Sequence, residues 1–342
     1  MLKLKFKPAS GGNGYTVVGV NLFGKSDKVI DIPAEHRGKP VTEIGEKAFY
    51  ENKRLRWVKI PNSVSRIGDY AFYGCSRLTS VDIGTGVASI GEWAFAKCKI
   101  YGKLVIPDGV REIGEYAFFD CKELRAVILP LGLTEIKAGT FNSCLELSEI
   151  SIPDSVESIG GVAFSTCSSL SEVTLPYRAQ VSGSAFYNCR NLANIYVGED
   201  YSTGKSVGSN RAAYMSEDGN LYSPDGRILV RYGANRDGEE FVVPDGVEII
   251  AGYAFSKGAR IDSLVLPRSV TSIEKNAFTF CNSLRKIVIP NSVTHVEEDA
   301  FWYCSNPRIY CEAEKKPDGW HAKWNNESVT VIWGYKDDKQ DN

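Results

Sequence analysis

The chain has 342 residues with 40 basic and 42 acidic side chains, a formal net charge of −2 that lacks the basic excess of a nucleic-acid footprint. No apolar run reaches the roughly 18 residues of a membrane helix, and the opening MLKLKFKPASGGNG has no continuous apolar core, so it does not read as a signal peptide. Nine cysteines without a CxxC pair are too few for a disulfide scaffold and lack zinc-site spacing.

In chain order, Tyr15–Val20 and Val29–Ile32 read as a small β cap within residues 1–31, needed because an end coil would expose apolar surface. From Ile32 a skeleton recurs. Cys75, Cys98, Cys121, Cys144 and Cys167 stand 23 residues apart, Cys189 follows after 22, and Cys281 and Cys304 are again 23 apart. Ile-Gly and then Ala-Phe precede the cysteines, as in Ile67-Gly68 and Ala71-Phe72, and Leu78, Val81 and Ile83 follow Cys75. Proline ends most coils, as at Pro61, Pro107 and Pro130. A fixed period of this length is the mark of a solenoid.

One coil can be read physically. Val81 and Ile83 alternate with Ser80 and Asp82, giving a short strand with one buried face. Proline stops ladder pairing and turns the chain. Val64 and Ile67 point inward from the return segment. Gly68 either holds a backbone angle that other residues dislike or permits close approach between coils. The acidic residue after the glycine (Glu46, Asp69, Glu92, Glu115) suits the first turn of a short helical segment. Ala71 allows tight stacking, and Phe72 fills the wide part of the coil. Stacked coils bury what one coil cannot.

The pattern L-x-x-V-x-I-P-x-S-V-x-x-I-G-x-x-A-F-x-x-C, over about residues 29–310 apart from one insertion, resembles the BspA-like class of bacterial leucine-rich repeats. The resemblance implies an α/β repeat solenoid: a right-handed leucine-rich-repeat coil with a parallel, concave β-sheet and caps at both ends. It also implies binding rather than catalysis, at a bacterial cell surface or after secretion, with adhesion to host matrix proteins or other bacteria.

The first repeat block covers residues 32–196. Its first coil carries the insertion Glu35-His36-Arg37-Gly38-Lys39-Pro40 and places Asn52 in the cysteine slot, where an amide can bond to backbone. The coil ending at Cys189 is one residue short and lacks Ile-Gly. Residues 197–242 break the period and read as a β-hairpin, Asn220–Tyr222 and Arg227–Tyr232 around Pro224-Asp225-Gly226. Its aspartates and glycines are read as turn chemistry rather than calcium ligands, because EF-hand spacing is absent. A second block covers 243–310, with Gly258 in the cysteine slot. Residues 311–342 form a C-terminal cap and tail in which Trp320, Trp324 and Trp333 are expected to cover the last coil.

Chemistry is sparse. His36, His295 and His321 fall in different regions, expected far apart along a rod, and assemble no nucleophilic triad. No phosphate loop, dinucleotide fingerprint or HExxH occurs. Paired carboxylates such as Glu297-Glu298 read as a solvated face. No cofactor or metal is expected, and the chain is read as a non-enzyme. The ladder cysteines are expected as buried free thiols hydrogen-bonded to turn backbone, ahead of disulfides between coils or a metal row. Cys311 is placed in the register of Asp82, facing solvent, with packing in the cap favoured over a reactive surface thiol.

Strand alternation names the outward residues. One position reads Lys59, Asp82, Val105, Ile128, Ser151, Thr174 and Tyr196, then Val265 and Val288; the other reads Trp57, Ser80, Lys103, Ala126, Glu149, Glu172 and Asn194, then Ser263 and Lys286. The candidate surface is Trp57, Lys59, Ser80, Asp82, Lys103, Val105, Ala126, Ile128, Glu149, Glu172 and Tyr196. Val105 and Ile128 form an apolar centre rimmed by charge, although β-branched residues also favour strands on their own account. The function expected is a non-catalytic interaction or adhesion module that binds a protein or glycan partner, as a monomer. The alternative is a structural rod with no ligand on the sheet.

Overall fold

The computed structural model describes residues 4–10, 12–20, 28–198, 215–217, 219–223, 225–233, 238–256, 260–305, 307–326 and 329–336. Contacts divide the chain into two compact units, Met1–Phe186 and Tyr187–Asn342.

In the first unit each coil carries two short strands and a turn. The expected strand recurs as Val29–Asp31, Trp57–Lys59 and Ser80–Asp82, paired in parallel, and again as Gly102–Val105, Leu124–Ile128 and Glu149–Ser151. These are two separate three-stranded sheets. Val29–Asp31, expected in the cap, is the edge strand of the first of these sheets. Tyr15–Val20 pairs antiparallel with Leu4–Pro8 and parallel with Lys39–Ile44. The return segment makes a second parallel ladder from Lys39–Ile44 through Arg66–Ile67 and Ser89–Ile90 to Glu112–Ile113. It supplies the inward Ile67, Ile90 and Ile113.

The Ala-Phe-x-x-Cys stretch is a turn, and no helix occurs among the described residues. The expected helical segment fails for a backbone reason. The residue before the alanine slot, which Thr140 fills in one coil, is left-handed in coil after coil (Lys47, Tyr70, Trp93, Tyr116, Gly139, Val162), and so is the residue before cysteine (Gly74, Lys97, Asp120, Ser143, Thr166). Two such residues per turn interrupt i→i−4 bonding. Amides instead alternate. Ala71, Tyr73 and Cys75 donate three residues back, whereas Tyr70, Phe72 and Gly74 donate forward to Glu92, Ala94 and Ala96. On the return ladder the direction reverses, with Gly68 N–H donating back to Ile44 and Gly91 N–H to Ile67.

The glycine alternatives resolve in favour of close approach. Gly91 has an ordinary φ, but a Cβ there would lie 2.6 Å from the Asp69 amide nitrogen. The core is a column of phenylalanines, with Phe49, Phe72 and Phe95 stacked at 4.9 and 5.0 Å and Phe118, Phe141 and Phe164 at 5.6 Å. Buried cysteines run beside it. The thiols of Cys75, Cys98, Cys121 and Cys144 each donate to a phenylalanine carbonyl of the preceding coil at 3.1–3.3 Å. All nine cysteines are free, so the inter-coil disulfide reading is set aside. In the first coil, Asn52 Oδ1 accepts from the Arg54 and Leu55 amides, as a slot-filling amide should.

The second unit has the same plan. Asn220–Tyr222 and Ile228–Arg231 form the hairpin, and its second strand pairs in parallel with Ile249–Ile250 to start a return ladder. Asp225 accepts from Ser223 Oγ and the Arg227 amide, which is turn chemistry. Pro224 and Gly258 lie outside the described residues. The other ladder runs from Gly238–Val242 to Thr330–Ile332. Trp320 and Trp324 are buried, Trp324 meets Phe301 edge-on, and Trp320 Nε1–H donates to the Val293 carbonyl at 3.0 Å.

Cys311 departs from its expected register. It pairs with the inward Ile289, while Tyr310 pairs with Val288. The segment from Cys304 to this strand is one residue shorter than in the preceding coil, which turns Cys311 into the core.

Candidate binding face

The strands position the outward side chains by their alternation. In the sheet of residues 102–151, parallel pairing sets Lys103, Ala126 and Glu149 in one row and Val105, Ile128 and Ser151 in the next. Val105 is 55% exposed and Ile128 39%. Ala126 is almost covered, so it floors the face rather than projecting from it. Tyr101 and Leu131, just outside the strands Gly102–Val105 and Leu124–Ile128, are exposed as well, at 55% and 73%. Sequence reasoning missed both because they stand outside the alternating strand positions.

Trp57, Lys59, Ser80 and Asp82 occupy the neighbouring sheet, which is not hydrogen-bonded to this one. Trp57 is half-buried, whereas Lys59, Ser80 and Asp82 are exposed. Glu172 is exposed on Glu172–Leu175 of the first unit; Tyr196 is exposed but belongs to the second unit. Val288, expected outward, is buried; it pairs with Tyr310 on the next strand, whose ring meets Tyr335.

The charges around the apolar centre differ in their commitments. Arg125 donates to Glu146 at 2.9 Å and lies over the Tyr101 ring, and the carboxylate raises the guanidinium pKa. Among the described residues, Lys59, Lys103, Glu149 and Glu172 make no ion pair.

The histidines correct a second expectation. His295 and His321 are not far apart: both line an open pocket of about 550 Å³ in the second unit, with Lys275, Glu297, Glu298 and Asp318. The chain folds them together because the His321 amide donates to Val296, extending the return ladder by one more coil. His321 Nδ1 accepts from the Lys323 amide, and Lys275 holds the Glu298 carboxyl below its usual pKa. No group of three metal-ligating side chains forms among the described residues. His36 stacks on Phe6 at 4.0 Å, at the other end of the chain.

The thiols are chemically quiet. Burial pushes Cys121, Cys304 and Cys311 up to about 12, and Cys98, Cys144 and Cys281 also rise. A protonated, buried thiol is a poor nucleophile.

Residues 42–102, 101–209 and 234–311 match the BspA type leucine rich repeat region, in six copies. The chain belongs to this family. Among solved structures it is similar to a leucine rich cell surface protein of Faecalibacterium prausnitzii, at 28% identity over 98% of this chain and 95% of that one, with a TM-score of 0.73. The pneumococcal vaccine antigen PcpA shares the fold, at 22% identity, 97% and 80% coverage and a TM-score of 0.67. So does a leucine-rich repeat protein of Eubacterium ventriosum, at 21% identity, 97% and 76% coverage and a TM-score of 0.55. No curated protein gives a significant match. Family and fold together make the chain a leucine-rich-repeat solenoid, and no helix among the described residues is long and apolar enough to cross a membrane.

Proposed function

We propose that this chain is a non-catalytic interaction module that binds a protein partner through the outer sheet face of its first unit, at a bacterial cell surface. The observation that carries the reading is the exposed aliphatic centre, Val105 and Ile128 side by side on adjacent strands with Ala126 beneath the face. Exposed apolar groups gathered on one face are what a protein interface covers. An aliphatic centre favours protein over glycan, since sugar hydroxyls laid on valine and isoleucine lose water without gaining hydrogen bonds. The surface placement rests on similarity to the Faecalibacterium prausnitzii cell surface protein.

The test is recovery of partner proteins by the wild-type chain and by the Val105→Asp/Ile128→Asp variant. Circular dichroism establishes that the variant is folded. The expected outcome is loss of the specific partner by the variant. Unchanged recovery by a folded variant refutes the reading.

A further inference from the structure

We infer that the same face takes an extended polypeptide segment in which an apolar stretch separates an acidic residue from a basic one. This rests on the reading that the sheet face is the binding surface and adds the chemistry of its occupant. The two rims of the apolar centre carry opposite charge. In register on successive strands stand Lys103, Ala126 and Glu149, so a cation and an anion flank an uncharged step. Glu172 adds negative charge beyond Glu149. Asp31 and Asp82 stand in register on either side of Lys59, so the open positive charge beside the apolar centre is that of Lys103.

The neighbouring charges are already paired, whereas these are open. Arg125 is taken by Glu146, Lys99 by Glu123 and Lys137 by Glu112. Lys103 and Glu149 have no ion-pair partner among the described residues and lie two ladder steps apart. At the usual strand spacing their backbones lie about 9.6 Å apart, close to the reach of three extended residues. A partner whose acid lies over Lys103 and whose base lies over Glu149 therefore spans Val105 and Ile128 with the residues between. Opposite charge at both rims fixes orientation as well as attraction, and like charge at either rim penalises the wrong segment.

The experiment measures fluorescence polarisation of the full chain with three synthetic peptides of about ten residues sharing one apolar core. Their ends are acid and base, acid and acid, or base and base. The expected result is that the mixed peptide binds about tenfold more tightly than either uniform one. Lys103→Glu moves the preference to the base–base peptide, and Glu149→Lys moves it to the acid–acid peptide, each by about tenfold. Equal affinities for all three peptides, abolished by Val105→Asp/Ile128→Asp, overturn the inference and leave the broader reading standing. No binding of any peptide at about 1 mM also overturns it, and partner recovery then decides the broader reading alone. Sedimentation provides the remaining arm: self-association lost in Lys103→Glu and in Glu149→Lys, but restored on mixing them, assigns the face to a second copy and overturns the peptide inference.

Discussion

The ladder thiols show how one side chain serves two coils. Phe72 O accepts both the Cys75 amide of its own coil and the Cys98 thiol of the next, so cysteine closes a bond that alanine would leave open. The 23-residue recurrence made the burial of these residues legible in the sequence, because a catalytic thiol has no reason to repeat. Their acidity follows from that burial. Cys121 and Cys304 titrate near 12 when folded, against about 8.5 for an unfolded cysteine. The folded state thus holds its thiol protons where the unfolded state releases them. This stabilisation is complete below about pH 8.5 and is lost as pH rises toward 12. Urea midpoints measured between pH 8 and pH 11 should therefore fall, and fall less steeply in Cys121→Ala. A midpoint that stays flat over this range contradicts the assignment.

Among the elements, the turn was the least legible. Tyr70, Trp93, Tyr116 and Val162 carry no sign in their chemistry that φ will be positive, and the adjacent acidic residues resemble a helix start. The strands were legible because alternation determines their faces, until a one-residue deletion before Arg308 reversed Cys311. Exposed Tyr101 stands in the slot that Leu78 and Leu124 fill, and Leu131 in the slot after the strand-ending proline, so the period gives their places but not their exposure. Two variants probe the turn side. Val162 is β-branched at φ 50, where a left-handed angle costs about 1–2 kcal/mol. Val162→Asn should raise the thermal midpoint, and a lower midpoint counts against the strain. Gly91→Ala forces a methyl group against the preceding coil's backbone and should cost about 2–3 kcal/mol in urea unfolding.

For the molecule as a whole, coils interact with their neighbours, so damage at one end propagates from that end. Trp320→Ala removes a buried ring and the bond to Val293, and should cost about 3–5 kcal/mol. Hydrogen exchange is expected to show early loss of protection at Val296 and Phe301 while Phe72 and Phe95 in the first unit keep theirs. Simultaneous loss throughout the chain argues against nearest-neighbour coupling. The two opposed directions of inter-coil bonding carry a further consequence. Alternate peptide units on the turn side donate toward the C-terminal end, and inter-coil bonds on the return side point back, as with Asp299 to Lys323 against His321 to Val296. A helix adds its peptide dipoles and accumulates partial charge at its ends. Here the two rails cancel, so the solenoid can lengthen by whole coils without building an electrostatic penalty at its termini.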